Sequence, residues 1–382
     1  MPKKWLLMLA ASVVLLGMLA GCGGGEETNS SGQDNAANNA QENGGENASG
    51  SENGSDESGN DEEAAGGETI SLTLSHQWPQ ATEDEGDFRG QLAVKFANAI
   101  NEKSDGQIEI DIYPASSLVG ATEQYDAMLS GGLDMSVYPL DYAGGQVPQF
   151  SATLMPALVR NHEEAAAWEN AEIGQKIREI AEENGIKILV WVWNAGGIGT
   201  KGDPIISPED IASGMKTRAA GARVEAMLAS QGAGIQSMPS SEIYSAMQTG
   251  VLDAAITSAS SFSTYKLHEQ VSSYTSPTEN TFWFMFEPLV ISMNTWESLT
   301  PEQQALFEEA AAELQEFAYT ASAEDDARVE EEFKENGVDV YHIDDAAYEK
   351  WVEVSKPIWE EFASEVEGGQ ELIDLAQQVS AE

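Results

Sequence analysis

The sequence predicts a mixed α/β protein of two lobes joined by a hinge, and three observations support this prediction. A ten-residue pattern occurs twice, as YDAMLSGGLD at residues 125–134 and as YSAMQTGVLD at residues 244–253. Each copy is typical of a helix end, a glycine that stops the helix and a short buried strand. Strand and helix patterns alternate from residue 70 onward, and an apolar run at residues 281–293 is long enough to return from one lobe to the other.

The first 22 residues have the composition of a secretory signal. Lys3 and Lys4 precede an apolar run at residues 5–19, which is shorter than the roughly 20 residues that a membrane-spanning helix needs. Leu-Ala-Gly-Cys at residues 19–22 resembles the bacterial lipobox, in which the cysteine is lipidated. Cys22 is the only cysteine, which excludes an intrachain disulfide. We predict a lipoprotein signal peptide lipidated at Cys22; the alternative is a buried cysteine after an uncleaved anchor.

Residues 23–68 contain 12 acids, neither Lys nor Arg, and almost no apolar bulk, so we expect a disordered acidic tether. Of the net charge of −47, this segment contributes −12 and residues 69–382 contribute −37. Such acidity argues against nucleic acid as a partner and against direct contact with an anionic membrane. A solvated acidic surface suits high salt, where self-repulsion is screened, so a halophilic or haloalkaliphilic source is a hypothesis.

The first lobe is expected to be an open sheet wound with helices. Phe88, Leu92 and Phe96 recur on one helical face, and Ile108, Ile110 and Ile112 alternate as in a strand. In chain order we predict strand 70–75, helix 87–103, a strand from 108 that ends before Pro114, helix 121–130, strand 133–138, helix 163–184 and strand 186–193.

The second lobe begins after a strong helix start, with Ser207 as N-cap and Pro208 at the first helical position. We predict a short strand at 215–219, helices 222–231 and 240–249, the second repeat strand, the return run, a helix from Thr300 to about Asn336, strand 337–343 and two acidic amphipathic helices. The predicted lobes are 69–195 plus about 284–323, and about 196–283 plus 324–382.

Motifs for catalysis, metals and nucleotides are absent from the sequence. The four histidines have no metal-ligand spacing, and no Gly-x-Ser-x-Gly elbow occurs. Residues 197–202 fit Gly-x-Gly-x-x-Gly, but Pro204 and Pro208 prevent the helix that a dinucleotide site requires. We interpret this stretch as a Gly-rich loop at a strand end and lobe crossing, and we expect no cofactor, no metal and no catalytic residue.

Arg218 is one of six arginines and lies at the end of a short predicted strand. Ligands gather at such strand ends in open α/β sheets, and arginine binds a carboxylate with two parallel hydrogen bonds. We predict Arg218 as the anchor of an anionic ligand. The alternative is a salt bridge to one of the many acids.

The chain resembles the TRAP-transporter solute-binding proteins of the DctP type. Residues 207–218, Ser-Pro-Glu-Asp-Ile-Ala-Ser-Gly-Met-Lys-Thr-Arg, are similar to the family's Pro-Glu-Asp-Leu-x-Gly-x-Lys-x-Arg, whose arginine grips the ligand carboxylate. Residues 238–253, Met-Pro-Ser-Ser-Glu-Ile-Tyr-Ser-Ala-Met-Gln-Thr-Gly-Val-Leu-Asp, resemble Met-Pro-x-x-Glu-x-Tyr-x-Ala-Leu-Gln-x-Gly-x-x-Asp. Residues 95–97, 102–104, 113–114 and 132–134 also match, so the resemblance spans roughly 70–342.

The resemblance implies a periplasmic-binding-protein-like fold of type II-like build, with strand crossings and a long helix at the hinge. It implies an extracytoplasmic protein that closes on a small organic acid, for example a C4-dicarboxylate, and delivers it to a TRAP permease. The protein would be held at the membrane by its lipid anchor. A secreted enzyme using the same cleft, or a receptor subunit for a sensor kinase, are the alternatives.

Two departures from the family pattern affect the ligand site. Thr257 stands where the family often has Asn, and the second arginine found in some members is absent from the stretch that begins at Asn194. Both argue against sialic acid. Further candidates follow from strand-end positions, and for each aromatic one core packing is at least as good an explanation. These candidates are Gln77, Trp78, Tyr138, Tyr142, Trp193, Asn194, Trp283 and Phe284.

Overall fold

The computed structural model describes residues 69–379. The predicted signal peptide, Cys22 and the acidic tether lie outside these residues. The strands are β1 (Ile70–Ser75), β2 (Ile108–Tyr113), β3 (Met135–Val137), β4 (Ile186–Val190), β5 (Trp193–Thr200), β6 (Lys216–Arg218), β7 (Gly234–Ile235), β8 (Ala254–Ser258), β9 (Ser273–Ser276), β10 (Phe284–Phe286), β11 (Leu289–Ser292) and β12 (Asp339–His342). The helices are α1 (Phe88–Lys103), α2 (Gln124–Ser130), α3 (His162–Ala167), α4 (Glu172–Glu183), α5 (Ala222–Ser230), α6 (Ile243–Gln248), α7 (Ala259–Thr264), α8 (Met293–Ser298), α9 (Pro301–Glu335), α10 (Asp345–Glu365) and α11 (Gly369–Val379).

The strands form two sheets that share one internal order. The first sheet runs β2-β1-β3-β11-β4, and the second runs β7-β6-β8-β5-β9-β12, with β10 paired to β5. In each, three parallel strands come from one continuous stretch, β1-α1-β2-α2-β3 or β6-α5-β7-α6-β8. The fourth strand is antiparallel and lies outside that stretch of the chain: β11 follows it at a distance in the first sheet, and β5 precedes it in the second. The mixed α/β fold class with strand crossings is confirmed.

The repeated sequence pattern has the same structural role in both sheets. Gly131 and Gly250 follow α2 and α6 with φ of 76° and 77°, the left-handed conformation that lets the chain leave the helix. The pattern's last residue then ties its strand to the neighbouring one. Oδ2 of Asp134 accepts a hydrogen bond from Thr73 N at 2.8 Å, and Oδ2 of Asp253 accepts one from Lys216 N at 3.0 Å.

The predicted strand 186–193 is wrong in one respect, because it is two strands in different sheets. The chain leaves the first sheet after β4 and enters the second at β5. Between them, the Gln315 side chain of α9 accepts from Trp191 N at 2.9 Å and donates to Trp191 O at 2.8 Å. This amide satisfies the backbone where neither sheet is available. Trp193 and Asn194 therefore begin β5 rather than ending the fourth strand.

The Gly-rich loop predicted at residues 197–202 is also wrong, since Gly197 and Gly199 lie inside β5. The predicted helix 163–184 is broken into α3, a 3₁₀ turn and α4, and a β-carbon at Gly174 would stand 2.1 Å from the Trp168 carbonyl oxygen at the break. The helix expected after Ser207 is a single 3₁₀ turn, Pro208–Asp210.

The long helix α9 agrees closely with its prediction. Thr300 and Gln303 form the capping box at its start. Phe307 packs in the core beside α1 and the first sheet, whereas Val329 and Phe333 pack in the core beside α7 and the second sheet. One helix therefore contributes to the apolar cores of both sheets.

Candidate functional site

Arg218 is the last residue of β6 and is buried, with 1% of its surface exposed. Its Nε donates to the Met238 carbonyl at 3.0 Å and its Nη1 to the Ile256 carbonyl at 2.9 Å. Among residues 69–379, no Asp or Glu forms an ion pair with it, which removes the salt-bridge alternative for this part of the chain. A buried charge is costly unless it is paired with an opposite charge. The two carbonyls accept hydrogen bonds but carry no net charge, so the guanidinium is suited to bind an anionic ligand.

Gln77, which follows β1, contacts the loop that holds Arg218. Ser240 Oγ donates to Gln77 Oε1 at 3.2 Å, and the Tyr265 hydroxyl donates to the Gln77 carbonyl at 3.2 Å. Ser240 is two residues beyond Met238, whose carbonyl receives Arg218. The structure thus brings a residue after β1 against the loop that holds the arginine. The sequence did not predict contacts of Ser240 or Tyr265 with Gln77. Ser240 was interpreted as the start of a helix, and no sequence pattern singled out Tyr265.

Tyr138 and Tyr142 follow β3, and their rings meet edge to face with centroids 6.1 Å apart. Tyr138 is fully buried, and its hydroxyl has no hydrogen-bond partner among the described residues. Burial raises the pKa of Tyr138 well above its ordinary value, so this phenol stays neutral. Burial likewise raises the pKa of Tyr265, and Tyr142 lies close enough to add to the effect. Tyr142 therefore lies near Tyr265, whose hydroxyl contacts Gln77.

Thr257 belongs to the same sheet as Arg218, and Trp283 of the apolar run 281–293 contacts the turn that follows Arg218. Arg218 is paired with Ala255 in parallel register, so Thr257, two residues on, lies on the same sheet face. Trp283 donates its Nε1 to the Ala220 carbonyl at 3.4 Å, beside the turn that follows the arginine. Its ring lies directly on β5, where a β-carbon at Gly196 would stand 2.2 Å from it.

Three other predicted residues have different surroundings. Asn194 donates Nδ2 to Glu287 Oε2 at 2.5 Å and accepts at Oδ1 from Ser260 Oγ at 3.0 Å, so its amide is engaged at both ends. Trp193 packs against Trp168 and Phe286. Phe284 meets the His162 ring at 5.1 Å. The structure does not place these side chains against Arg218, and their ligand contact stays a prediction.

A buried ionic network centred on Arg89 was not anticipated from the sequence. The guanidinium, 0% exposed, contacts Asp87 at 2.7 Å and Glu287 at 2.6 Å. It also donates to Ser258 Oγ at 3.1 Å and stacks on the Trp78 ring at 3.9 Å. Arg89 therefore joins α1 and the Trp78 loop to β8 and to the return segment between β10 and β11.

The two acids of this network differ in their electrostatics. Burial alone would raise the pKa of Asp87, but the charge and hydrogen bonds of Arg89 lower it below the ordinary value. Burial raises the pKa of Glu287 above its ordinary value, against the opposing effect of Arg89. Asp87 is thus the firmly ionised partner of the arginine.

Residues 69–379 contain no group of three or more His, Cys, Asp or Glu side chains arranged to hold a metal ion. No helix in the same range is both long and apolar enough to cross a membrane. Two α/β sheets exchange strands, and Gln77, which follows β1 of the first sheet, contacts the loop of the second that holds the buried Arg218. This fold and site define a two-lobe solute-binding protein.

Comparison with known proteins gives the class a family. The profile of the bacterial extracellular solute-binding proteins, family 7, matches residues 79–365. A solute-binding protein of Albidiferax ferrireducens is 38% identical over 312 residues, covering 81% of this chain and 92% of that protein. The C4-dicarboxylate-binding periplasmic protein DctP of Rhodobacter capsulatus is 26% identical over 298 residues, covering 77% and 87%.

A solved structure is similar over nearly its whole length. The TRAP periplasmic solute-binding protein of Rhodoferax ferrireducens, with bound malonate, superimposes with a TM-score of 0.79 at 38% identity. The match covers 81% of this chain and 98% of that one. The chain belongs to the bacterial extracellular solute-binding proteins, family 7. The family resemblance seen in the motifs is confirmed.

Proposed function

We propose that this protein captures a small organic acid outside the cytoplasm and delivers it to the permease subunits of a TRAP transporter. The observation that carries the proposal is the buried Arg218 without an ion-pair partner among the described residues. Its Nε and one Nη1 proton are held by carbonyls, so the Nη1–Nη2 edge remains for a carboxylate. Such a pair is charge-assisted and geometrically specific.

Relatives support a carboxylate as the ligand class. The Rhodobacter capsulatus relative binds C4-dicarboxylates, and the Rhodoferax ferrireducens structure holds malonate. One arginine suits a C4-dicarboxylate, a 2-oxo acid or another monocarboxylate equally well. We propose Gln77, Tyr138, Tyr142, Thr257 and Trp283 as the surrounding ligand contacts. A thermal-shift screen of small organic acids identifies the ligand, because a ligand at 100 times its Kd adds about 2.7 kcal/mol of stability.

The test of the proposal is the affinity of Arg218→Ala for the acid found in that screen. Removing a buried carboxylate anchor costs about 2–5 kcal/mol, so calorimetry should show weaker binding by at least thirtyfold. Arg218→Lys keeps the positive charge but loses the two parallel hydrogen bonds of the guanidinium. Its affinity for the acid should therefore lie between those of the wild type and Arg218→Ala. Arg328→Ala is the control, since Arg328 is half exposed. An unchanged dissociation constant for Arg218→Ala would remove the assignment.

We infer binding rather than catalysis, because the proposed contacts contain no nucleophile paired with a base. The alternative, a secreted enzyme acting on a small acid, predicts consumption of the bound compound. Nuclear magnetic resonance spectra of the acid incubated with the protein distinguish the two: an unaltered spectrum after many hours supports capture. For the second alternative, a sensor receptor, co-purification with a kinase instead of a permease is the deciding observation.

We further propose that Cys22 is lipidated and becomes the first residue of the mature protein once residues 1–21 are removed, and that residues 23–68 tether the binding domain to the membrane. The support is the sequence Leu-Ala-Gly-Cys and the acidic, apolar-poor segment that follows it. Mass spectrometry of the mature protein should find a diacylated Cys22 at the N-terminus. An unmodified Cys22 in the mature protein would contradict the proposed lipid anchor. So would a Cys22→Ala variant that is attached to the membrane as well as the wild type is.

We propose lobes at 69–195 plus about 284–323 and at about 196–283 plus 324–382, closing on the ligand around the crossings at β5 and at β10–β11. The support is that Gln77 and Arg218 reach the site from different sheets. Small-angle scattering should show a smaller radius of gyration when the ligand is added, and Arg218→Ala should lose that change. An identical curve with and without saturating ligand would contradict closure.

A further inference from the structure

Asp141 is a second buried polar group beside the turn after Arg218, and it comes from the first lobe. It lies in the 3₁₀ turn Leu140–Ala143 after β3 and is 8% exposed. A β-carbon built on Gly221, three residues beyond Arg218, would stand 3.4 Å from Asp141 Oδ2. Gly221 has φ of 94°, a backbone conformation that glycine adopts readily.

Two polar atoms at this position lack hydrogen-bond partners among the described residues. They are Asp141 Oδ1 and the hydroxyl of Tyr138, three residues earlier. Buried polar atoms are almost always hydrogen-bonded, and Asp141 lies close enough to Tyr138 to influence its pKa, so these two atoms are candidates to bind one polar group of a ligand. Asp141 lies beside Gly221, and three residues of chain place the Cα atoms of Gly221 and Arg218 at most about 10 Å apart.

The charged groups facing Asp141 come from α5. Glu225 lies close enough to influence both Asp141 and Arg218, and it is held by the Ser237 hydroxyl. Arg223 also faces Asp141, but it is paired with two acids of α10. Burial raises the pKa of Asp141 to about 7; the Ser151 hydroxyl lies near enough to oppose this rise, but it is too far from Oδ1 or too poorly aligned to form a hydrogen bond with it. The far end of the site is therefore acidic, and Arg218 is its one cation without an ion-pair partner in the described chain.

We propose, on the basis of the function proposed above, that Asp141 with Tyr138 reads the end of the ligand remote from Arg218. The pair selects an organic acid whose far end carries a hydrogen-bond donor, a hydroxyl or ammonium group, over one that ends in a second carboxylate. The Asp141 carboxylate accepts from such a donor. A second carboxylate would instead lie beside Asp141 and Glu225, where like charges repel strongly at low dielectric.

The experiment compares acids of equal length that differ only at the far end. Calorimetry at about pH 8.5 measures the dissociation constants of 3-hydroxypropanoate, β-alanine, malonate and propanoate. The same measurement is then made for the four-carbon hydroxy acid, the four-carbon amino acid, succinate and butanoate. In one of the two series, we expect a donor-ended acid to bind at least tenfold more tightly than its dicarboxylate and its unsubstituted acid. Hydroxyl and ammonium probes in separate arms show which donor the site prefers.

Asp141→Asn should reduce this preference to less than threefold, because an amide oxygen is a weaker acceptor and no longer repels the dicarboxylate. Tyr138→Phe should also lower the ratio of donor-acid affinity to dicarboxylate affinity. It serves as the test if Asp141→Asn does not fold. Lowering the pH to about 5.5 protonates Asp141, so the preference for 3-hydroxypropanoate over propanoate, whose far ends do not titrate in this range, should narrow in the wild type but not in Asp141→Asn. A dicarboxylate that binds most tightly at pH 8.5, or a ratio unchanged in both variants, would overturn the inference.

The outcome also separates this inference from the function on which it rests. If acids bind through Arg218 without regard to the far end, the selectivity assigned to Asp141 is wrong and the solute-binding function stands. If Arg218→Ala binds every acid as well as the wild type does, both are wrong.

Discussion

At the scale of single residues, the glycines of β5 explain how a Gly-rich sequence becomes a buried strand. A β-carbon at Gly196 would stand 2.2 Å from the Trp283 ring, one at Gly197 would stand 2.4 Å from Tyr274, and one at Gly199 would stand 2.6 Å from Phe262. Successive residues of a strand face opposite sides, so aromatic rings press on the backbone from both sides. The same glycines in the sequence are typical of a loop, which is why the prediction was wrong.

Gly196→Ala should displace the Trp283 ring and destabilise the protein by about 1–3 kcal/mol, the usual cost of overpacking. Because Trp283 lies beside the turn after Arg218, ligand affinity should fall as well. Gly202→Ala is the matched control, since a β-carbon there meets nothing within 4 Å. Urea denaturation measures both variants. Equal stability of the two would mean that the Trp283 ring moves at no cost.

Replacing Arg89 with Met should destabilise the protein by about 3–5 kcal/mol, because Asp87 and Glu287 remain buried without their cation. Without Arg89, burial raises the folded-state pKa of both acids. A raised carboxyl pKa gives stability at low pH that is lost as the pH rises. The deficit relative to wild type should therefore be larger at pH 8 than at pH 5, measured by chemical denaturation.

The control for this prediction is Arg328→Met, whose ion pairs are partly exposed and worth less than about 1 kcal/mol. A pH-independent deficit in Arg89→Met would show that lost packing on Trp78, rather than the two acids, is responsible.

At the scale of elements, strand exchange is what makes two sheets into one binding unit. β5 leaves the first half to pair with β8, and β11 returns to pair with β3. The sequence predicted that residues 281–293 return to the first lobe. It did not predict that β11 would lie between β3 and β4, because packing and not sequence proximity decides which strands are neighbours. The helix α9 then carries apolar residues into both cores.

A proline at Ala323, an exposed residue in the middle of α9, should break the helix between its two cores. The expected cost is about 3 kcal/mol or more, from the lost hydrogen bond and the ring's clash with the preceding turn. Ala323→Gly, at about 1 kcal/mol, is the matched control for backbone freedom. Denaturation monitored by tryptophan fluorescence measures both. Similar losses in the two variants would show that α9 tolerates a kink at this point.

At the scale of the whole molecule, the net charge of −47 is the dominant property. We propose that the protein comes from a saline environment, since its acidic surface repels itself in dilute buffer. Raising the salt from 0.1 M to 1 M shortens the Debye length from about 10 Å to about 3 Å. The melting temperature should therefore rise with KCl and, equally, with NaCl. A melting temperature that falls over this range would contradict the halophilic hypothesis.

The sequence by itself determined the features that depend on residues a few positions apart. These are the glycines that end α2 and α6, the capping box of α9, the fold class and the family; Arg218 as the ligand anchor stays a prediction. Only the tertiary structure decided which groups meet. Arg89 and Glu287 are 198 residues apart, and Ser240 and Gln77 are 163 apart. Such pairs depend on how two sheets cross at a hinge, and no local pattern encodes that geometry.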